Sequence, residues 1–213
     1  MDRRELLKMI ALATGTAFVG GEFFLAGCKN PEAGSSTEFS EDDTAFLDEV
    51  GETILPKTNT PGAKDAKVGA FMVIMVNDCY TAAEQKIFHE GMKKLNDECK
   101  TMHSASFMKA TAEQRKSLLT KLDEEAKKDA KEKTEFDETQ IQKEKEEHEK
   151  GNTGFEREKR TAHYFSMMKQ LTISGFFSSK EGRTGALRYV PVPGRYDASL
   201  DYKKGDKAFA GLN

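Results

Sequence analysis

The chain has 213 residues and a formal charge of −3 at pH 7, from 33 Lys and Arg against 36 Asp and Glu. This near-balance excludes a typical nucleic-acid-binding protein, which carries a strong basic excess, and three cysteines are too few for a disulfide-dense scaffold. The length leaves room for one domain, or two small ones. Hydrophobic residues make up 37% and charged residues 32%, and two unusual segments are set apart before the fold is predicted.

The N-terminus has the pattern of an export signal. Arg3 and Arg4 begin it, and a mostly apolar or small-residue stretch follows from Met9 to Ala26. A charged start, an apolar stretch and small residues before a cleavage point are typical of a secretory signal, here residues 1–27. Paired arginines near the start resemble the twin-arginine signal, which exports proteins that have already folded. A transmembrane anchor is the alternative, but glycines and Glu22 interrupt a stretch that is already short for a span of about 20 residues.

The signal ends in Leu25-Ala26-Gly27-Cys28, which resembles a bacterial lipobox. In that interpretation the peptide is cut before Cys28, and the thiol and the new amino group of Cys28 receive fatty acyl chains. More than one chain anchors stably, because each buried methylene contributes about 0.8 kcal/mol. The polar residues that follow predict a flexible tether over residues 28–39. The alternative is an unmodified cysteine after an ordinary signal.

Helix signals dominate most of the remaining chain. Ser40 with three acids after it, Thr81 three residues before Glu84, and Thr111 three residues before Gln114 are each typical of a helix N-terminus. Apolar residues at steps of three and four follow these positions, and the same spacing continues from residue 65 and from residue 164. The stripes are Phe46, Leu47, Val50 and Ile54; Val68, Phe71, Met72, Met75, Val76 and Cys79; Phe88, Met92, Leu95, Cys99 and Met102; Leu118, Leu119 and Leu122; and Tyr164, Phe165, Met168 and Leu171, the last helix ending near Gly175. We therefore predict an all-α fold, an irregular helical bundle, over residues 40–213.

A charged helical insertion is predicted over residues 121–160. Of these 40 residues, 11 are Lys or Arg and 14 are Asp or Glu, and apolar residues are sparse. Such a run predicts one or two exposed helices outside the core. Solubility alone explains it, with docking of a partner as the alternative.

The C-terminal segment differs from the helices and is predicted to be an extended tail containing glycine and proline. Between Arg188 and Tyr196, prolines alternate with bulky side chains, which favours extended backbone. Tyrosine and arginine are enriched in protein interfaces. The tail therefore either contacts a partner or wraps its own domain.

Motifs for catalysis and for cofactor binding are absent from the sequence. It contains no c-type haem motif, no dinucleotide or phosphate-binding glycine loop, and no nucleophile elbow. We expect no catalytic residue, cofactor site or metal site in this chain. Cys79 and Cys99 pack in the core, form a disulfide, or bind a metal with His89 and His103; export permits the disulfide.

Three short motifs resemble the gluconate 2-dehydrogenase subunit 3 family. The first runs from Ile54 to Ala63 (Ile-Leu-Pro-Lys-Thr-Asn-Thr-Pro-Gly-Ala), before a helix ending Asn-Asp-Cys-Tyr. The others are Gly-Phe-Phe-Ser-Ser at 175–179 and Gly-Ala-Leu-Arg-Tyr at 185–189, followed by Val-Pro-Gly-Arg-Tyr at 192–196. The resemblance covers roughly residues 40–120 and 160–200, and the charged run is longer than the family pattern requires.

The resemblance implies a small, non-catalytic subunit of a membrane-associated dehydrogenase. Its partner would be a large FAD-containing subunit of the glucose–methanol–choline type, often joined by a cytochrome c, that oxidises a sugar or sugar acid. The small subunit would escort this partner through twin-arginine export and hold it, lipid-anchored, at the periplasmic side of a bacterial envelope. Within this hypothesis, the partner-contact candidates are Arg188, Tyr189, Pro193, Gly194, Arg195 and Tyr196. The alternative function is an envelope lipoprotein that binds or scaffolds without a redox partner.

Overall fold

The structure is a computed structural model, and it describes residues 38–192, 194 and 199–210. Within these residues the chain forms five α-helices, a short 3₁₀ helix and a short π-helix. The α-helices are α1 (Glu41–Ile54), α2 (Val68–Cys79), α3 (Ala82–His103), α4 (Ala112–Glu149) and α5 (Tyr164–Ser178). The 3₁₀ helix is Phe107–Lys109 and the π-helix is Gly182–Ala186. The predicted all-α irregular bundle is confirmed.

Three of the helices begin with a capping box. The hydroxyl of Ser40 accepts a hydrogen bond from the Asp43 amide at 3.1 Å, and the Asp43 carboxylate accepts one from the Ser40 amide at 2.9 Å. Thr81 begins α3 and Thr111 begins α4 in the same reciprocal way. Each box satisfies amide groups that have no partner inside the helix, so the sequence signal correctly marks these three starts.

One hydrophobic core joins all five α-helices, and α5 lies at its centre. Helix α5 packs against each of the other four, and Phe165 and Met168 are among its fully buried side chains. The other large, fully buried side chains are Leu47, Val50, Val68, Met72, Val76, Phe88, Leu95, Phe107, Leu118 and Leu122. Burial of this apolar surface is the main force that holds the helices together.

Helices α1 and α2 run antiparallel. The start of α2 lies against the middle of α1, where the Gly69 amide donates to the Asp48 carboxylate at 2.7 Å. At their other ends, Tyr80 after α2 and Phe39 before α1 both contact the ring of Phe88. Residues 38–40 therefore lie at the end of the bundle opposite the loop that joins α1 to α2.

The charged run is helical as predicted, and residues 121–149 of it belong to one continuous helix, α4. It forms most of α4, and residues 150–163 then run back along it. Leu122, which belongs to a predicted apolar stripe, is buried in the core. Ala126 is buried as well, so the prediction that the run beyond this stripe lies outside the core is wrong at Ala126. Beyond Ala126 the helix is solvated, apart from Gln140. We call residues 131–158, the second half of α4 and the first part of the returning chain, the charged hairpin.

Helix α5 continues past Gly175, where the sequence predicted its end. The ring of Phe71 on α2 lies so close to Gly175 that a Cβ atom there would meet it at 2.6 Å. This glycine therefore allows close packing of two helices rather than ending one, and the helix continues through buried Phe176 to Ser178.

The described part of the tail contains no helix after residue 186. No helix of the described residues has both the length and the apolar character needed to cross a membrane.

Candidate partner-binding surface

The loop joining α1 to α2, residues 55–67, carries the first motif and is tied to the end of α1. The carboxylate of Glu52 accepts hydrogen bonds from the Lys57 amide at 2.8 Å and from the Lys64 amide at 2.9 Å. One side chain therefore holds both sides of the loop. The Ala63 amide also donates to the Leu55 carbonyl at 3.0 Å, which closes the loop.

A second carboxylate orders the middle of this loop. Asp65 accepts a hydrogen bond from the Gly62 amide at 3.1 Å and pairs with the Lys57 ammonium at 3.1 Å. These bonds, the amide first, lower the pKa of Asp65 because they favour its charged form. The tip of the loop, with Thr58 and Asn59, stays exposed.

The third motif meets this loop, and the second motif leads the chain towards it. After α5, the Ser179 hydroxyl donates to the Phe176 carbonyl at 2.7 Å and accepts from the Gly182 amide at 3.0 Å, which turns the chain into the π-helix. Within the π-helix, Gly185 lies directly against the Pro61 ring, since a Cβ atom there would be 2.7 Å from it. Motifs separated by more than 100 residues in sequence therefore form one end of the bundle, around Pro61 and Gly185, which we call the motif end.

The C-terminal segment folds back onto the chain beyond the π-helix. The Arg188 amide donates to the Ala208 carbonyl at 2.8 Å, and the Ala210 amide donates to the Arg188 carbonyl at 2.9 Å. These bonds form an isolated parallel bridge between Arg188 and Phe209. The guanidinium of Arg188 stacks on the Phe209 ring at 4.9 Å from its centre. The Lys207 ammonium also donates to the Gly185 carbonyl.

The chain after α5 begins exposes several apolar side chains. Tyr202 is 78% exposed, Val192 81% and Tyr189 49%, and Leu200, Phe209 and Phe177 are exposed as well. Aromatic groups are enriched in surfaces that bind other proteins. The described end therefore has the composition of an interface.

The candidate residues from the sequence fall into two groups. Arg188, Tyr189 and Gly194 are described, and all three are exposed; Gly194 has a left-handed backbone, with φ of +76°. Arg3, Arg4, Cys28, Pro193, Arg195 and Tyr196 lie outside the described residues. Sequence reasoning missed Phe209, whose ring stacks against the guanidinium of Arg188.

The candidate disulfide between Cys79 and Cys99 is not formed in the structure. Both thiols are free; Cys99 is buried in the core, whereas Cys79 is exposed rather than packed in a buried stripe. Cys79 precedes α3 by three residues, while Cys99 lies 17 residues along that helix, about 25 Å from Ala82 at 1.5 Å per residue. A disulfide needs Cα atoms within about 7 Å.

A metal site is not found among the described residues. No group of three or more His, Cys, Asp or Glu side chains is placed there to hold an ion. The spacing of Cys99 and His103 on α3 therefore does not become a cluster in this part of the chain.

Comparison with known families decides the family of this chain. The model of the family described as gluconate 2-dehydrogenase subunit 3 matches residues 41–194. The chain belongs to the gluconate 2-dehydrogenase subunit 3 family. Neither the curated proteins nor the solved structures contain a significant match.

The match of this subunit 3 protein to its family spans the whole bundle. It begins at the first residue of α1 and ends in the C-terminal segment, so it includes the motif end and the charged run. The family is named as a subunit of a dehydrogenase, which makes dehydrogenase subunits its expected partners.

Proposed function

We propose that this chain is the non-catalytic small subunit of a periplasmic, membrane-associated flavin-dependent dehydrogenase for a sugar or sugar acid. It escorts the FAD-containing subunit through twin-arginine export and tethers it to the membrane through lipid on Cys28; a cytochrome c is a further candidate subunit. The observation that carries this proposal is the family match over residues 41–194. The export pair Arg3–Arg4 and the Leu-Ala-Gly-Cys sequence support the escort and the anchor.

The arrangement of the bundle suits a tethered escort. The described chain begins beside Ser40, at the N-terminal end of α1, whereas the three motifs meet at the C-terminal end of α1. Helix α1 has 14 residues, so about 20 Å separates these ends. The motifs therefore lie away from the point where the described chain begins, which supports a partner site at the C-terminal end of α1.

The escort step is tested by the double substitution Arg3→Lys and Arg4→Lys. Because the partner folds around its flavin before export, loss of the arginine pair should strand it in the cytoplasm. We expect periplasmic flavoprotein activity to fall about tenfold or more, while total cellular flavoprotein stays constant. Activity is measured in separated periplasmic and cytoplasmic fractions, with Lys8→Arg as a control that leaves the pair intact.

Two outcomes contradict the proposal in different ways. Unchanged periplasmic activity in the double variant removes the escort role. Purification of the full chain from mildly solubilised membranes as a colourless, solitary protein removes the flavoprotein partner and favours an envelope lipoprotein without one.

A further inference from the structure

A cleft of 740 Å³ lies between the start of α3, the middle of α4 and residues 157–162 of the returning chain. A smaller cleft of 250 Å³ adjoins it, because Glu84, Thr161 and Ala162 line both. We call the larger one the α3–α4 cleft. Its volume is typical of ligand-binding clefts, which measure about 300–1,000 Å³.

A buried amide side chain, that of Gln140, forms part of the cleft wall. Gln140 is only 3% exposed, although it lies on the solvated half of α4. Its Oε1 accepts a hydrogen bond from the Glu158 amide at 3.3 Å, whereas its Nε2 has no partner among the described residues. Thr172, the other buried polar side chain in this part of the chain, donates to the Met168 carbonyl at 2.8 Å. An unsatisfied buried donor costs about 1–3 kcal/mol, which indicates a ligand that accepts its hydrogen bond.

The charged groups of the cleft wall favour an anion as that ligand. Two of the three acids in the wall are engaged, since Glu84 belongs to the capping box of α3 and Asp137 pairs with a lysine one turn away. Arg157 and Lys159 also line the cleft, and Arg157 uses its Nε for Glu144 at 3.4 Å. Exposed cations are common on this protein and would not mark a site alone. Beside a buried amide donor, they complete a set of groups suited to a carboxylate.

Another part of the wall is apolar. Ile141 is one of only two apolar residues between 131 and 149, and it lines the cleft with 38% of its surface exposed. Ala162 lies in the same wall and joins the smaller cleft, which Tyr80 and Met167 line. A ligand with an apolar body would remove these groups from water, which favours binding.

We propose that the α3–α4 cleft binds a small organic carboxylate with an apolar body. The Nε2 of Gln140 donates to a carboxylate oxygen, Arg157 and Lys159 balance the charge, and the apolar body covers Ile141 and Ala162. The charged run thereby has a role beyond solubility. This site needs no dehydrogenase partner, so its failure and the failure of the proposed function are separate results.

The test measures binding of 3-phenylpropionate, a soluble carboxylate with an apolar ring, to the full-length chain in mild detergent. Calorimetry gives the Kd after the heat of protein-free detergent is subtracted. The variant Gln140→Glu keeps an acceptor for the Glu158 amide but loses the donor and repels an anion. Its matched control, Gln142→Glu, adds the same charge at an exposed position of α4 outside the cleft wall. We expect the control to bind like the wild type and Gln140→Glu to bind about tenfold more weakly.

A second pair of variants keeps the test decisive if a buried glutamate disturbs folding. Lys159→Gln removes a cation from the cleft wall, and Lys143→Gln removes one from an exposed position elsewhere on the charged hairpin. Both lysines are exposed, so thermal unfolding should match that of the wild type. We expect only Lys159→Gln to weaken binding, by a few-fold. Hydrogen exchange should show that the ligand protects amides within residues 157–162.

Each other result overturns the proposal. A wild-type chain that does not bind 3-phenylpropionate has no such site. Equal binding by Gln140→Glu, Lys159→Gln and their two controls places the ligand outside the α3–α4 cleft. Binding of the neutral 3-phenylpropionamide as tightly as the acid shows that the carboxylate is not recognised.

Discussion

The hydroxyl of Tyr164 is the clearest single-residue weakness of the core. Tyr164 is only 5% exposed, its ring covers Gly91 and lies beneath the Lys94 ammonium, and its hydroxyl has no hydrogen-bond partner among the described residues. Burial, reinforced by the charges of Glu98 and Glu125, raises the pKa of this phenol. An unsatisfied buried hydroxyl costs about 1–3 kcal/mol. We therefore expect Tyr164→Phe to increase the free energy of unfolding by about 1 kcal/mol, measured by urea denaturation.

Tyr189 provides the matched control for this substitution. It is half exposed, so Tyr189→Phe removes a hydroxyl that water already solvates, and its effect on unfolding should be close to zero. A loss of stability in Tyr164→Phe would mean that the buried hydroxyl makes a hydrogen bond in solution.

At the same scale, the sequence predicts local hydrogen bonds better than long-range ones. Ser40, Thr81 and Thr111 cap their helices as predicted, because donor and acceptor lie only three residues apart. The bond between Arg188 and Ala208 joins residues 20 positions apart, and no local pattern specifies it. The exposure of Cys79 was also missed, because an apolar stripe does not show where its buried face ends.

The contact between α1 and α2 depends on a glycine. A Cβ atom at Gly69 would lie 2.5 Å from the Thr44 carbonyl oxygen and 2.8 Å from the Asp48 amide nitrogen, and both are backbone atoms of α1. Neither neighbour can move without displacing the helix. We expect Gly69→Ala to lower the free energy of unfolding by about 2–3 kcal/mol, which thermal and urea unfolding would measure.

Gly154 offers a control in the returning chain after α4. Its nearest neighbour would be the Asn152 side chain at 3.8 Å, so Gly154→Ala should change stability by less than about 0.5 kcal/mol. Similar effects of the two substitutions would show that α1 and α2 are not packed this closely.

Among the elements, the sequence predicts helices well and their ends less well. The continuity of α4 could not be read from its charged half, because Glu and Lys favour helix without showing whether one helix or two forms. The π-helix at Gly182–Ala186 was likewise missed, since glycines predict a turn and its geometry depends on contact with Pro61. The bundle itself was predictable because each apolar stripe needs another helix to cover it.

The whole molecule has two ends with different chemistry. At the motif end, Gly185 of the π-helix lies against Pro61. The charged hairpin lies towards the end where the described chain begins, because its residues Lys133, Asp137 and Ile141 line a cleft of 740 Å³ together with Thr81 at the start of α3. The longer charged run therefore leaves the motif end uncovered. This placement could not be predicted, because it depends on how α3 and α4 pair.

Removal of the charged hairpin tests this division. Arg160 bonds to Asp129 at 2.7 Å, so the chain returns beside α4, and a short glycine linker can join Ala130 to Lys159 in place of residues 131–158. The last apolar residue of α4 in the core is Ala126. Arg160 pairs with Glu132 of the hairpin at 3.0 Å, and such a partly exposed ion pair contributes about 0–1 kcal/mol. We expect the shortened chain to unfold cooperatively, to lose less than about 2 kcal/mol of stability, and to bind as much flavin per chain as the full protein. Loss of flavin binding at unchanged stability would place partner contacts on the hairpin, and a molten, non-cooperative domain would show that the hairpin is part of the core.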